Sequence, residues 1–223
     1  TFYPQSDEVD ADQLLRQADQ AMYQAKLAGK NRYHLFDADQ DRSVRGLNET
    51  LQQIRRGLAA GEFVMHFQPK VNMRSGAVIG AEALIRWQHP EKGLLPPLEF
   101  LPLIEDHPLA VELGEWVIET VLRHREQWLE DGLDLPVSIN LGARQLRQAN
   151  FVERLQEILA AHPTFKPGSI EMEVLETSAL KDLERVSRII DTCRAIGVEF
   201  SLDDFGTGYS SLTYLKRLSV THL

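Results

Sequence analysis

From Phe63 onward the chain alternates between short apolar runs and longer amphipathic segments with helical spacing. The strand candidates cover 63–71, 78–87, 136–141, 170–175 and 198–203. The clearest helix candidates between them cover 111–130, 151–160 and 181–195. Strands that alternate with helices predict a parallel sheet, either doubly wound or closed into a barrel. In a barrel, functional side chains gather at the C-terminal ends of the strands.

The first 37 residues predict a fragment rather than a domain. A helix is expected between a cap at Asp10 and the glycine at Gly29, followed by a short strand from Tyr33 to Phe36. One helix and one strand cannot enclose a core, so this segment needs partners outside it. The charged stretch 37–45 predicts a boundary. A helical linker follows, with apolar residues at helical spacing, namely Leu47, Leu51, Ile54 and Leu58.

Composition excludes some classes of function. The net charge is −9, which disfavours a general DNA or RNA polymer binder. The single cysteine, Cys193, cannot form an internal disulfide, and this fits a reducing compartment. No run approaches 18 apolar residues, and the start lacks a signal-peptide pattern. We therefore expect a cytoplasmic location, with membrane contact only through segments upstream of this sequence. Anchoring of the parent protein in the inner membrane stays open.

Two adjacent acids, Asp203 and Asp204, follow the last predicted strand and open into the glycine-rich run 205–208. Adjacent carboxylates at a strand tip repel each other, so a cation between them is expected. One carboxylate can bridge two hard cations, and a pair of divalent metal ions is therefore the simplest interpretation. A solvated turn between a strand and a helix is the alternative.

Other polar residues lie near the ends of the predicted strands. Glu82 shares a strand face with Leu84 and Arg86, because side chains two apart point the same way. Asn140, Glu173 and Asp203 lie near the C-terminal ends of the following strands. Each could alone be an exposed acid or a turn former, but together they form an oxygen-only donor set. Such a set suits Mg²⁺ or Mn²⁺ better than Zn²⁺.

These motifs resemble the EAL domain family. The resemblance rests on GAEALIRW at 80–87, INL at 139–141 and DDFGTG at 203–208, supported by FQP at 67–69 and YSSL at 209–212. It implies a TIM-like (βα)8 barrel with an antiparallel first strand, and hydrolysis of cyclic di-GMP to linear pGpG. The segment 18–26 also resembles the closing helix of a GGDEF domain. The implied domains are a GGDEF-like fragment at 1–37, a helical linker at 38–60 and the EAL domain at 61–223.

The resemblance also implies roles for individual residues. Glu82, Asn140, Glu173 and Asp203 would hold one metal ion, and Asp203 would share a second with Asp204. Arg86 would hold a phosphate of cyclic di-GMP, and Gln68 and Leu84 would line the dinucleotide groove. Glu176 would support the loop 205–211, which follows Asp204. Glu82, Glu173, Asp203 and Asp204 are thus the implied catalytic residues.

The sequence departs from the family pattern in two places. Leu175 stands where the family usually has threonine, between Glu173 and Glu176, and both acids are kept. The sequence also stops at Leu223, where the family continues into a strand with a catalytic lysine and later glutamate and glutamine residues. On this basis the barrel is expected to be incomplete in this chain, with exposed strand edges, and the chain alone to hydrolyse cyclic di-GMP poorly.

Two alternatives to an active phosphodiesterase stay open. The domain could be a cyclic di-GMP receptor that binds without cutting, or a scaffold used only for dimerisation. A homodimer through the EAL domain is expected. The linker helix could transmit a signal through Leu51 and Ile54, or it could be a passive spacer.

Overall fold

The computed structural model describes residues 11–27, 29, 31, 33, 38–176, 182–203, 218 and 220. The chain divides into two compact units, Thr1–Gln52 and Gln53–Leu223. Helix α1 (Ala11–Leu27) lies in the first unit, and α2 (Ala38–Ala60) begins there and ends in the second. Both helices were predicted. The predicted strand at 33–36 lies outside the described residues except for Tyr33, so it stays a prediction.

The second unit alternates strands and helices as predicted. Its strands are β1 (Phe63–Val71), β2 (Val78–His89), β3 (Gly93–Leu95), β4 (Val137–Leu141), β5 (Ile170–Leu175) and β6 (Glu199–Asp203). Among the described residues, its helices after α2 are α3 (Leu101–Ile104), α4 (Leu109–Glu130), α5 (Ala143–Leu146), α6 (Phe151–Ala160) and α7 (Leu183–Ala195), with a 3₁₀ turn at Pro97–Glu99. Within the described part of the chain, no helix is long and apolar enough to cross a membrane.

The strands form one sheet in the order β1-β2-β4-β5-β6, with β3 paired to β2. β1 runs antiparallel to β2, whereas β2, β4, β5 and β6 are mutually parallel. The antiparallel first strand implied by the family resemblance is confirmed. The prediction missed β3, the 3₁₀ turn, α3 and α5, because these elements are too short to show a period.

The two faces of the sheet differ in chemistry. On β5, the buried Ile170, Met172 and Val174 alternate with the partly exposed Glu171 and Glu173. The apolar face is covered by helices: α4 packs on β1 and β4, and α7 packs on β6. We call the opposite side the polar face. In strand order, its side chains include Gln68, Lys70, Glu82, Ser138, Asn140, Glu171, Glu173, Ser201 and Asp203.

Aromatic side chains join the start of β1 to the end of β2. The ring of Phe63 stacks on Trp87 at a centroid distance of 5.2 Å, and Phe100 meets both rings edge-on. The indole of Trp87 donates a hydrogen bond of 2.9 Å to Glu62, just before β1. The last turns of α2 lie against this corner, since a Cβ on Gly57 would come within 2.9 Å of the Trp87 indole nitrogen.

A glycine with positive φ joins α7 to β6. Gly197 has φ of 92°, a region that costs residues with a Cβ atom free energy. An added Cβ would also lie 2.8 Å from the Cα of Pro167. We expect Gly197→Ala to lower the free energy of unfolding by more than about 1 kcal/mol. Urea denaturation measures this.

The matched control for this glycine is Gly142→Ala. Gly142 has ordinary extended backbone, and an added Cβ meets nothing within 4 Å. We expect its effect to stay within about 0.5 kcal/mol. Similar losses in the two variants would contradict the strain assigned to Gly197.

Candidate active site

The predicted oxygen donors lie on neighbouring strands at one edge of the polar face. Asn140 on β4 is the register partner of Glu173 on β5. The amide of Asn140 donates a hydrogen bond of 2.8 Å to the carboxylate of Glu82 on β2. The structure therefore brings three of the predicted metal ligands together across three adjacent strands.

Glu82 lies in the middle of a long strand, yet at the end of a parallel ladder. β2 pairs with β4 only from Ala81 to Ala83, whereas its other edge pairs with β1 from Val78 to Trp87, and β3 pairs with its last residues from Trp87 to His89. Beyond Ala83, β2 no longer pairs with β4. Glu82 thus occupies the position that the C-terminal strand ends occupy in a regular barrel.

Glu173 is held by a lysine from the first strand. The ammonium of Lys70 donates a hydrogen bond of 2.6 Å to Oε1 of Glu173 and lies 3.4 Å from Oε2 of Glu171. It also donates to the hydroxyl of Ser138, which in turn donates at 2.7 Å to Glu171. Both acids are partly exposed, with 12% of the Glu173 side chain and 15% of the Glu171 side chain accessible. These contacts link β1, β4 and β5.

Two opposing effects act on the pKa of Lys70. Partial burial lowers it, whereas the hydrogen bonds and negative charges of Glu173 and Glu171 raise it and prevail. The pKa therefore lies above the ordinary lysine value. Lys70 therefore stays a cation throughout the neutral range.

Asp203 is the last residue of β6 and is exposed beside its register partner Leu175. Asp204 and the loop 205–211 lie outside the described residues, so the predicted second half of the acid pair stays a prediction. Glu176 directly follows β5 and is buried, with 4% exposure. Glu176 is therefore not a solvated acid, and its supporting role stays a prediction.

The predicted substrate-binding residues share the polar face. Gln68 is the register partner of Glu82, and both Leu84 and Arg86 are half-buried on the same side of β2. The guanidinium of Arg86 donates a hydrogen bond of 2.8 Å to the carbonyl of Ile85. Leu84 and Arg86 follow Glu82 toward the end of β2, so they border the donor edge.

The donor set fits hard divalent cations by its chemistry. Glu82, Asn140 and Glu173 offer only oxygen ligands, as Mg²⁺ and Mn²⁺ prefer. The hydroxyl of Ser201, the register partner of Glu173, is buried and finds no hydrogen-bond partner among the described residues. An orphan hydroxyl beside a carboxylate suits a cation's water shell. No cluster of three His, Cys, Asp or Glu side chains gathered for a metal occurs in the described ranges.

The part of the chain that carries this geometry matches a known protein family. The model of the EAL domain matches residues 51–223, more than three quarters of the chain. The chain belongs to the EAL domain family. The EAL match begins within α2 and covers the whole sheet and its polar face.

Curated relatives of this EAL chain include two signalling proteins. It is 40% identical over 212 residues to the bifunctional diguanylate cyclase/cyclic di-GMP phosphodiesterase MucR of Pseudomonas aeruginosa. It is 36% identical over 211 residues to the cyclic di-GMP phosphodiesterase PdeR of Escherichia coli. Each alignment covers 95% of this chain but only 31% and 32% of the relative. The chain thus spans about a third of their length.

A solved EAL structure has the same fold. The MucR phosphodiesterase in complex with cyclic di-GMP matches with a TM-score of 0.73 at 42% identity, covering 77% of this chain and 70% of that one. This match confirms the predicted TIM-like α/β architecture.

Four polar residues next to the EAL donor set were not among the predicted site residues. Lys70, Ser138, Glu171 and Ser201 each lie two residues from a predicted site residue on the same strand. The period of two along each strand could have placed them on the same face. Their contacts could not be predicted, because these depend on how strongly the sheet curves.

Proposed function

We propose that this EAL domain hydrolyses cyclic di-GMP to linear pGpG. The observation that carries the proposal is the oxygen-donor edge formed by Glu82, Asn140 and Glu173. Support comes from the 40% identity to MucR, named as a cyclic di-GMP phosphodiesterase, and from the fold shared with its cyclic di-GMP complex. The reaction adds water across one phosphodiester: the water oxygen forms a bond to phosphorus, the bond from phosphorus to a ribose 3′ oxygen breaks, and the proton that the water gives up passes to the leaving 3′ oxygen.

In this proposal, different residues of the polar face and the adjoining loop bind metal ions, bind the substrate or support the loop. Glu82, Asn140, Glu173 and Asp203 would hold one divalent cation, and Asp203 and Asp204 would hold another. When bound, Mg²⁺ or Mn²⁺ would neutralise phosphate charge and lower the pKa of a coordinated water. Arg86 would bind a phosphate as a charged donor. Gln68 and Leu84 would line the groove, and Glu176 would support the loop 205–211.

The remaining features of the parent protein belong to the same proposal. We infer that residues 1–37 end a GGDEF domain, that 38–60 form a linker, and that 61–223 belong to the EAL domain. The alignment with MucR supports this, since it covers 95% of the chain and so extends upstream of the EAL match. A cytoplasmic homodimer that associates through the EAL domain completes the proposal.

The first test uses the full-length natural protein. We expect incubation with cyclic di-GMP and Mg²⁺ or Mn²⁺ to produce pGpG. Chromatography measures the amount of pGpG formed. Chelation with EDTA should abolish turnover and added metal should restore it, because the proposed mechanism needs divalent cations to neutralise phosphate charge and to activate the attacking water. Tight binding of cyclic di-GMP without pGpG would overturn the hydrolase and support a receptor. Failure to bind either metal or dinucleotide would favour the scaffold.

A further inference from the structure

Lys70 connects strands that are not neighbours. It lies on β1, yet its ammonium contacts Ser138 on β4 and both Glu171 and Glu173 on β5. In a flat sheet, β1 and β5 would be three strand spacings apart, or about 14 Å. That separation exceeds the reach of a lysine side chain. The contact therefore depends on the curvature of the sheet, and it crosses the polar face from β1 to β5.

The strand next to β1 leaves room for the Lys70 side chain. Gly80 on β2 is the register partner of Lys70 and has no side chain to fill the polar face at that level. The next residue on that face is Glu82. The Lys70 side chain can thus extend across β2 at the level of Gly80. It reaches Glu173 from the side of Glu82 that is opposite to Leu84 and Arg86.

The contact fixes a carboxylate that has a second negative charge close to it. Glu171 and Glu173 lie two apart on one face, so their negative charges repel. Lys70 donates to one oxygen of Glu173 at 2.6 Å, while the Ser138 hydroxyl donates to Glu171 at 2.7 Å. A carboxylate with one oxygen fixed by a donor presents its other oxygen in a defined direction. Partners of this kind around metal ligands tune metal affinity.

We propose that Lys70 is a positioning residue that holds Glu173 in place for divalent cation binding. The inference rests on the proposed function, because Glu173 is assigned there as a metal ligand. The inference predicts in which direction the metal affinity changes when Lys70 is replaced. If Lys70 only competed with the metal for Glu173, removing its charge would tighten metal binding. If Lys70 positions Glu173, removing it weakens metal binding.

The test measures Mn²⁺ binding to the full-length protein without substrate, by electron paramagnetic resonance of the free ion. We expect Lys70→Met to weaken binding by about 10- to 100-fold. Lys70→Arg, which keeps a cationic donor, should restore most of the affinity. Lys166→Met is the matched control, because Lys166 is an exposed lysine paired with Asp134 away from the polar face. The Mn²⁺ affinity of the Lys166→Met variant should equal that of the natural protein.

A second readout separates positioning from a general loss of structure. In Lys70→Met, the Mn²⁺ concentration for half-maximal hydrolysis should rise, while kcat at saturating Mn²⁺ recovers much of its value. Unchanged or tighter Mn²⁺ binding in this variant would overturn the inference. If Lys70→Met does not fold, Lys70→Gln replaces it with the same criterion. Failure of the natural protein to bind Mn²⁺ would instead overturn the proposed metal-dependent function.

Discussion

Replacing Glu82 with alanine in the full-length protein is expected to reduce hydrolysis of cyclic di-GMP by more than about 100-fold, since even partners that only support metal ligands contribute 10- to 100-fold. Glu82 is a proposed metal ligand and also accepts the hydrogen bond from Asn140. Its removal would take away one charged oxygen donor and leave the Asn140 amide without this partner. Production of pGpG at fixed Mg²⁺ measures the effect.

The control for this substitution is Glu130→Ala. Glu130 is an exposed acid at the last position of α4, shortly before β4 begins and so near the other end of the parallel strands. It should hydrolyse cyclic di-GMP at the natural rate. Thermal melting of both variants monitors the fold. A folded Glu82→Ala protein with nearly natural activity would show that Glu82 is not a metal ligand.

The largest effect on stability is expected for Phe100→Ala. Phe100 is fully buried, with 0% exposure, and its ring contacts Phe63 and Trp87 at centroid distances of 5.5 Å and 6.0 Å. Removing a buried ring loses its transfer free energy and leaves a cavity, so we expect a loss of about 3–5 kcal/mol. Urea unfolding followed by tryptophan fluorescence suits this measurement, because Trp87 belongs to the same cluster.

Leu98→Ala provides the comparison within the same short segment. Leu98 is 85% exposed, so its truncation removes little buried area. The change in unfolding free energy should lie within about 0.5 kcal/mol. If Phe100→Ala were equally mild, the aromatic corner would not be a principal part of the core.

The positions of the main strands follow from the sequence because their patterns are local. β1 and β5 match their predicted bounds, whereas β2 extends two residues further than predicted. The antiparallel direction of β1 has no local signature, and only the family resemblance indicated it. The segment from Gly93 to Ile104 was missed, since its elements of three or four residues show no periodicity.

The candidate site was predictable in part for the same reason. Face alternation placed Glu82 with Leu84 and Arg86, and the parallel order of strands placed Asn140 beside Glu173. The link from Lys70 to Glu173 joins residues 103 positions apart. This contact depends on the curvature of the sheet and on the lack of a side chain at Gly80. No local sequence pattern indicates either feature. Asp204 stays a prediction.

The reversed first strand changes where the chain enters the barrel. In an all-parallel barrel the chain would reach its first strand at the end remote from the active site. Here Phe63, the first residue of β1, pairs with Trp87 near the end of β2, so α2 arrives at the end that carries Arg86. Ile54 of α2 is fully buried, and Glu62 accepts the hydrogen bond from Trp87. A twist or a pull applied along α2 would therefore act on Trp87, which directly follows Arg86 on β2. It would reach the end of the sheet that carries Arg86 without passing through the rest of the barrel.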